Sequence, residues 1–212
     1  HAIDLVGSSI FEVLARHCRE DPWEQLTSLS RAMPRTTIRA GTRSNGIVTF
    51  GLTADSVMDL WVQRLVAHGI GSFWIYDGLF NLDKIGRLAR TAQAEGAKAI
   101  ACILYADSPY HTDEYYAERT KELVALGVDG IELEDAAGLL TPQRTRSLVT
   151  AIKQAAGDLP VEIRCFDRVA VDDANGAHAR AGKILSSWAA ETPGADNEDL
   201  GVHETKLAYS MY

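Results

Sequence analysis

The chain has 212 residues, of which 46% are apolar and 24% charged, with a formal net charge of −8. This length can bury a full hydrophobic core, and the composition is that of an ordinary globular domain. The acidic balance, with both signs interspersed, disfavours a nucleic-acid or anionic-membrane surface. No apolar run approaches the roughly 18 residues of a membrane span. Three distant cysteines predict free thiols in a reducing compartment, so we expect a cytoplasmic protein.

Short β-rich apolar segments alternate with amphipathic segments of helix length along the chain. The first strand is predicted over 2–7, with Ser8 or Ser9 as the cap of the next helix. Asp21 and Pro22 predict the N-cap and first residue of a second helix. Further strands are predicted over 36–41, 72–77, 98–106, 130–135, 161–167 and 183–189, and further helices over 55–68, 82–95, 113–126, 142–156 and 173–181. The helix over 55–68 is predicted to bury one apolar face, made of Val57, Leu60, Trp61, Leu65 and Val66.

Seven strands joined by crossover helices indicate a parallel sheet. Two architectures fit this pattern, an open doubly wound sheet and a closed (β/α)8 TIM barrel. No GxGxxG follows any strand, which disfavours the dinucleotide-binding open sheet. Units of 25–35 residues favour the barrel. We therefore predict one α/β barrel domain over 1–212, with its first β/α unit absent and its C-terminal end incomplete.

Polar residues cluster where the predicted strands end, which in a barrel is the mouth of the active site. The segment 131–135 alone carries Glu132, Glu134 and Asp135. Such carboxylates can bind a divalent ion or move a proton, but they can also cap the following turn or helix. The strand-end set as a whole predicts a polar mouth: Arg39, Asp77, Tyr105, Glu134, Asp135, Arg164, Asp167 and Ser186 or Ser187.

Conventional catalytic motifs do not occur in the chain. There is no HxH or HExxH for a histidine zinc site, no CxxC, and no GxSxG nucleophile elbow. The histidines on predicted helices are more simply explained as packing or surface residues.

Three segments resemble one enzyme family. They are EDPWEQLTSLSRAMPRT at 20–36, ILYADSPYHTDEYYAERTKELVALGVDGIELEDAAGLLTP at 103–142 and DLPVEIRCFD at 158–167. They resemble the carboxyltransferase domain of pyruvate carboxylase, the oxaloacetate decarboxylase α subunit and the transcarboxylase large-ring subunit. The resemblance implies a TIM barrel that moves a carboxyl group between biotin and a keto acid, with a divalent metal as Lewis acid.

The resemblance also implies metal ligands that this chain lacks. The family uses an aspartate on its first strand, a carbamylated lysine, and two histidines in an H-x-H on its seventh strand. Glu134 stands at the lysine position, and Arg164 and Phe166 stand at the histidine positions. Phenylalanine cannot ligate a metal, and arginine cannot lose its proton to do so. We therefore expect no ordinary metal site, with an ion pair between Glu134 and Arg164 in its place.

The remaining site residues follow from the same resemblance. Glu134, Arg164 and Asp135 are the predicted catalytic residues, as acid–base groups and as the cation that stabilises an enolate. Arg39 or Arg43, with Asn45, is expected to hold a substrate carboxylate. Asp77 and Asp196 match further acidic or threonine positions of the family.

Two functions stay open at this point. One is a divergent carboxyltransferase or decarboxylase that acts on a small keto acid or acyl substrate without the metal. The other is a catalytically silent subunit of a carboxylase complex. No biotin-accepting M-K-M segment is present, so biotin would come from a partner chain, such as a biotin carrier, within an oligomer.

Overall fold

A computed structural model describes residues 2–47 and 51–165. Six parallel strands form one sheet in the order β1-β2-β3-β4-β5-β6. Each lies beside its neighbour in sequence, as a barrel requires. The strands are β1 (Ala2–Val6), β2 (Thr37–Arg43), β3 (Ile70–Tyr76), β4 (Lys98–Leu104), β5 (Gly130–Asp135) and β6 (Val161–Cys165).

Helices connect the strands at every crossover of the described chain. Six of the seven predicted strands are confirmed, whereas the strand over 183–189 and the helix over 173–181 lie outside the described residues. No helix in the described ranges is long and apolar enough to span a bilayer. The helices are α1 (Ser8–Glu12), continued by a π-helix (Val13–Cys18), α2 (Pro22–Ala32), α3 (Asp55–Ala67), α4 (Leu82–Ala94), α5 (Asp113–Ala125) and α6 (Pro142–Ala156).

The sequence signals at the helix starts are mostly confirmed. Asp21 caps α2 by accepting a hydrogen bond from Trp23 N at 2.8 Å, with Pro22 in the first turn. Thr141 caps α6 in the same way. The predicted serine cap of α1 is wrong, because extended Gly7 is the N-cap and the helix already includes Ser8.

The buried face of α3 differs from the predicted one. Trp61 and Leu65 are buried as expected, but Val57 and Leu60 are exposed. Met58 and Val62 take their places, so the packed stripe has the spacing i, i+3, i+4, i+7 of an amphipathic helix. Apolar residues surround most of this helix, and the sequence alone therefore left its orientation open.

The two faces of the sheet differ sharply in polarity. The outer face packs against the helices through a fully apolar layer that includes Ile38, Phe73, Ala101 and Leu133. The inner face carries charged residues from five strands. In a flat sheet β1 and β6 would lie about 24 Å apart, yet Arg164 of β6 donates a hydrogen bond to Asp4 of β1 at 2.6 Å. The sheet is therefore curled into a partial barrel.

Candidate functional site

Four charged side chains form a closed ring on the inner face of the sheet. Glu132 accepts hydrogen bonds from Arg39 Nη2 at 3.0 Å and from Arg164 Nε at 3.1 Å. Asp4 Oδ2 accepts from Arg164 Nη2 at 2.6 Å, and Asp4 Oδ1 lies 3.4 Å from Arg39 Nε, an ion-pair contact without hydrogen-bond geometry. Each carboxylate thus gives one oxygen to each arginine. We call Asp4, Arg39, Glu132 and Arg164 the charged ring.

The charged ring is buried and has further contacts. Arg39 and Glu132 are only 8% and 2% exposed. Arg39 Nη1 also donates to Glu162 at 2.6 Å. The guanidinium of Arg164 lies over the ring of Trp74, with its Cζ 4.1 Å from the ring centroid. Burial raises the pKa of the Glu132 carboxyl, and the two arginines oppose that rise by favouring the carboxylate.

The predicted ion pair between Arg164 and Glu134 is wrong in its partner. The two residues are neighbours in the register of β5 and β6, as expected. The hydrogen bonds of the Arg164 side chain nevertheless go to Glu132 and Asp4. The stacking on Trp74 and the second carboxylate at Asp4 favour this direction.

A second inner layer lies one step closer to the mouth and contains Glu134. Glu134 is 6% exposed and accepts a weak hydrogen bond from Cys102 Sγ at 3.5 Å. Burial raises the pKa of Glu134, with Arg164 acting against the rise. Burial also raises the pKa of Tyr76, which Arg43 opposes, and raises the pKa of Cys102 well above its usual value. A buried carboxyl with a raised pKa is suited to carrying a proton.

Asp135 and Asp77 hold the loops at the mouth. Asp135 points away from Glu134, because consecutive strand residues face opposite sides. Its Oδ2 accepts from Leu140 N at 2.7 Å, while Oδ1 is buried and has no hydrogen-bond partner among the described residues. Asp77 accepts from Leu79 N at 2.8 Å and from the Ser44 hydroxyl. The structure thus gives both carboxylates turn-forming contacts.

The other predicted site residues are not all brought together. Arg39 lies deeper than expected, because β2 runs to Arg43 rather than ending at residue 41. Arg43 and Asn45 are half-buried beside the mouth, where Asn45 O accepts from Thr53 N at 2.9 Å. Tyr105 is also half-buried, and its N–H donates to Glu134 O at 2.7 Å. The remaining predicted residues lie outside the described part of the chain: Asp167, Ser186, Ser187 and Asp196.

Comparison with known proteins identifies the nature of this barrel. No family profile matches the chain. It is 31% identical over 163 residues to a pyruvate carboxylase subunit of Methanocaldococcus jannaschii, covering 77% of this chain and 29% of that protein. It is 30% identical over 168 residues to the 2-oxoglutarate carboxylase large subunit of Hydrogenobacter thermophilus, covering 79% and 26%. The 5S subunit of methylmalonyl-CoA carboxyltransferase from Propionibacterium freudenreichii is 26% identical over 173 residues, covering 81% and 34%.

Solved structures agree. The carboxyl transferase domain of Rhizobium etli pyruvate carboxylase with 3-bromopyruvate superposes with a TM-score of 0.75 at 26% identity, covering 78% of this chain and 29% of that one. The same domain with oxamate and biotin gives 0.76 at 25% identity, covering 87% and 31%. The chain is homologous to the carboxyltransferase domain of biotin-dependent carboxylases. It spans only between 26% and 34% of the curated relatives named above.

The described residues of this carboxyltransferase homologue do not fit the metal that the family resemblance implies. Arg164 stands at a ligand position, and its guanidinium is bound to two carboxylates. An arginine has no lone pair to offer a metal. Within residues 2–47 and 51–165, no group of three histidine, cysteine or acidic side chains has the arrangement of a metal site. We therefore derive no chemical step through a metal.

Several residues of the site were missed by the sequence reasoning. Asp4, Glu162 and Trp74 were not predicted, and Glu132 was noted only as part of an acidic cluster. The period-2 alternation of a strand gave a usable signal, since Glu132 and Glu134 must share one face. The same holds for Glu162 and Arg164. Trp74 gave no signal, because an aromatic residue within a strand is ordinary core composition.

The loop between β4 and α5 is fastened to the mouth by a buried tyrosine. Tyr116 is fully buried, its hydroxyl donates to Ala106 O at 3.2 Å, and it accepts from Ala106 N at 2.9 Å. We expect Tyr116→Phe to lower the free energy of unfolding by about 1–3 kcal/mol near neutral pH, because both backbone groups lose their partner. Urea unfolding measures this loss.

The same substitution has a defined pH dependence. Burial raises the pKa of Tyr116 from 10.0 to about 12. The unfolded chain therefore ionises first, and the stabilisation by Tyr116 is lost as pH rises from 10 through about 12. The difference between wild type and Tyr116→Phe should shrink over that range. Tyr110→Phe, at an 84% exposed residue, should change little. A difference that stays constant up to pH 12 would contradict this role.

Proposed function

We propose that this chain is a carboxyltransferase-type barrel that acts on a small keto acid or acyl substrate without a divalent metal. The observation that carries the proposal is the charged ring. Arg164, at an expected ligand position, binds Asp4 and Glu132 and places a fixed positive charge on the inner face of the barrel. A fixed cation in a buried site can stabilise an enolate oxygen.

The mouth supplies the remaining groups of the proposed reaction. Glu134, with its raised pKa, is the proposed proton carrier. Arg43 and Asn45 are the proposed contacts for a substrate carboxylate, which a guanidinium can bind in a bidentate manner. Asp135 and Asp77 hold the two loops in position through their backbone contacts.

The assembly around the site belongs to the same proposal. The relatives include subunits of carboxylases and of a carboxyltransferase. We propose that biotin reaches the mouth on a partner carrier, that the protein is oligomeric and cytoplasmic, and that this chain is a single barrel domain completed to eight strands.

A second candidate is a catalytically silent carboxyltransferase-like subunit. The observation that favours it is the pairing within the charged ring, where both arginines are bound by carboxylates of the protein itself. A cation neutralised in this way attracts a substrate oxygen less strongly than one facing an open site.

One experiment separates these functions. The purified natural full-length protein is assayed for bound metal, for pyruvate binding by calorimetry, and for oxaloacetate decarboxylation with excess chelator. Saturable pyruvate binding with activity in the chelator supports the metal-independent enzyme. Stoichiometric zinc, manganese or cobalt would contradict metal independence. Neither metal, binding nor activity would leave the silent subunit as the function.

A matched pair of variants sharpens the binding measurement. Arg43→Met should weaken pyruvate binding by about 10–100-fold, the value of one charged hydrogen-bonding contact. Arg35→Met removes the same group from an exposed turn and should leave binding unchanged. Equal affinities in both variants would contradict the role of Arg43.

A further inference from the structure

Arg164 lies in a site whose lining has the chemistry of a cation-binding pocket. Two carboxylates approach its guanidinium from β1 and β5, at 2.6 Å from Asp4 and 3.1 Å from Glu132. The face of Trp74 on β3 covers the guanidinium at 4.1 Å. Carboxylates combined with one aromatic face suit a planar, delocalised cation better than a compact, strongly hydrated ion.

The pocket is assembled independently of Arg164. Glu132 is 2% exposed and remains fixed by Arg39 Nη2 at 3.0 Å. Trp74 packs directly over Gly41, where any side chain would collide with its ring. Asp4 keeps a second contact, since its Oδ1 lies 3.4 Å from Arg39 Nε. Removal of Arg164 therefore leaves a preformed pocket with uncompensated negative charge.

We propose that the guanidinium of Arg164 is a built-in cation that occupies a guanidinium-binding pocket formed by Asp4, Glu132 and Trp74. The proposal deepens the metal-independent function above, because it identifies the group that supplies the positive charge within the barrel. Shortening the side chain opens the pocket to a free cation of the same class. The test below measures stability and binding, so it can fail while the proposed enzyme activity is upheld, and the reverse.

The decisive variant is Arg164→Ala in the natural full-length protein, titrated with ethylguanidinium chloride at constant ionic strength. We expect the variant to have a lower melting temperature than wild type and to regain part of it saturably, with a Kd on the order of 1–10 mM. Wild type should show no saturable rise. Arg119→Ala is the matched control, because Arg119 also lies over aromatic rings, at 5.5 Å from Phe80, but on the helical side of the chain.

A double variant keeps the test valid if Arg164→Ala does not fold alone. Arg164→Ala with Asp4→Asn removes one carboxylate, should fold without added cation, and should bind ethylguanidinium at least tenfold more weakly. If the single variant is unfolded, circular dichroism should show it folding on addition of ethylguanidinium.

Three results would overturn the proposal. They are no saturable effect of ethylguanidinium on Arg164→Ala, an equal effect on Arg119→Ala, and an affinity of the double variant equal to that of the single variant. Stronger rescue by magnesium or manganese than by ethylguanidinium would also overturn it, because the pocket would then be a carboxylate site for compact ions.

Discussion

Replacement of Arg39 by methionine should lower the free energy of unfolding by about 3–5 kcal/mol. Arg39 is 8% exposed and contacts Glu132, Glu162 and Asp4. Methionine fills a similar volume but leaves the 2% exposed Glu132 with one cation instead of two. The loss therefore reports the cost of an undercompensated buried charge, which greatly exceeds that of a surface pair. Urea unfolding of the two proteins at matched pH measures it.

Two further variants define the origin of that loss. Arg16→Met is the matched control, because Arg16 pairs with Glu12 one helical turn away and its side chain is 70% exposed. It should cost less than about 0.5 kcal/mol. Arg39→Met combined with Glu132→Leu removes both charges and should recover part of the stability. A double variant no more stable than Arg39→Met would show that the loss came from packing rather than charge.

Replacement of Gly41 by valine should destabilise the barrel by about 1–3 kcal/mol and displace Trp74. A Cβ on Gly41 would stand 2.1 Å from Cζ2 of the Trp74 indole. Because the same indole supports the guanidinium of Arg164, its displacement also disturbs the charged ring. Urea unfolding measures the loss, and tryptophan fluorescence reports the change around the indole.

The control for this prediction is an alanine at another glycine, which follows the neighbouring strand β3. A Cβ added to Gly78 would meet nothing within 4 Å, and Gly78 has no positive φ, so Gly78→Ala should be neutral or slightly stabilising. Gly41→Ala combined with Trp74→Leu should be less disrupted than Gly41→Ala alone, since the colliding ring is gone. Unchanged fluorescence in Gly41→Val would contradict the collision.

Much of the fold followed from local sequence signals. Strand β5 was predicted to the residue, and the cap residues of α2 and α6 were identified because Asp-Pro and Thr-Pro have few other uses. The barrel class followed from the repeated alternation, and the family from the segment around Glu134. These signals are short-range, so one sequence carries them fully.

The contacts of the site were harder to predict, because they join residues that are distant in sequence. Strand register correctly put Arg164 beside Glu134, but register fixes Cα atoms and not the direction of a long side chain. The choice between Glu132 and Glu134 depended on Trp74 and Asp4, which come from two other strands. Grouping Asp135 with Glu134 was an avoidable error, since strand alternation sends them to opposite faces.

The charged ring also constrains the order in which the chain can fold. Arg164 and Asp4 are 160 positions apart, and Arg39 and Glu162 are 123 apart. During synthesis from the N-terminus, β1 to β5 and their helices emerge before β6, and their contacts are mostly local. The ring closes only when β6 arrives, after the entropic cost of the longest loop has been met. Until then Asp4 and Glu132 lack one arginine, so a nascent chain without β6 holds an unbalanced negative charge within the barrel.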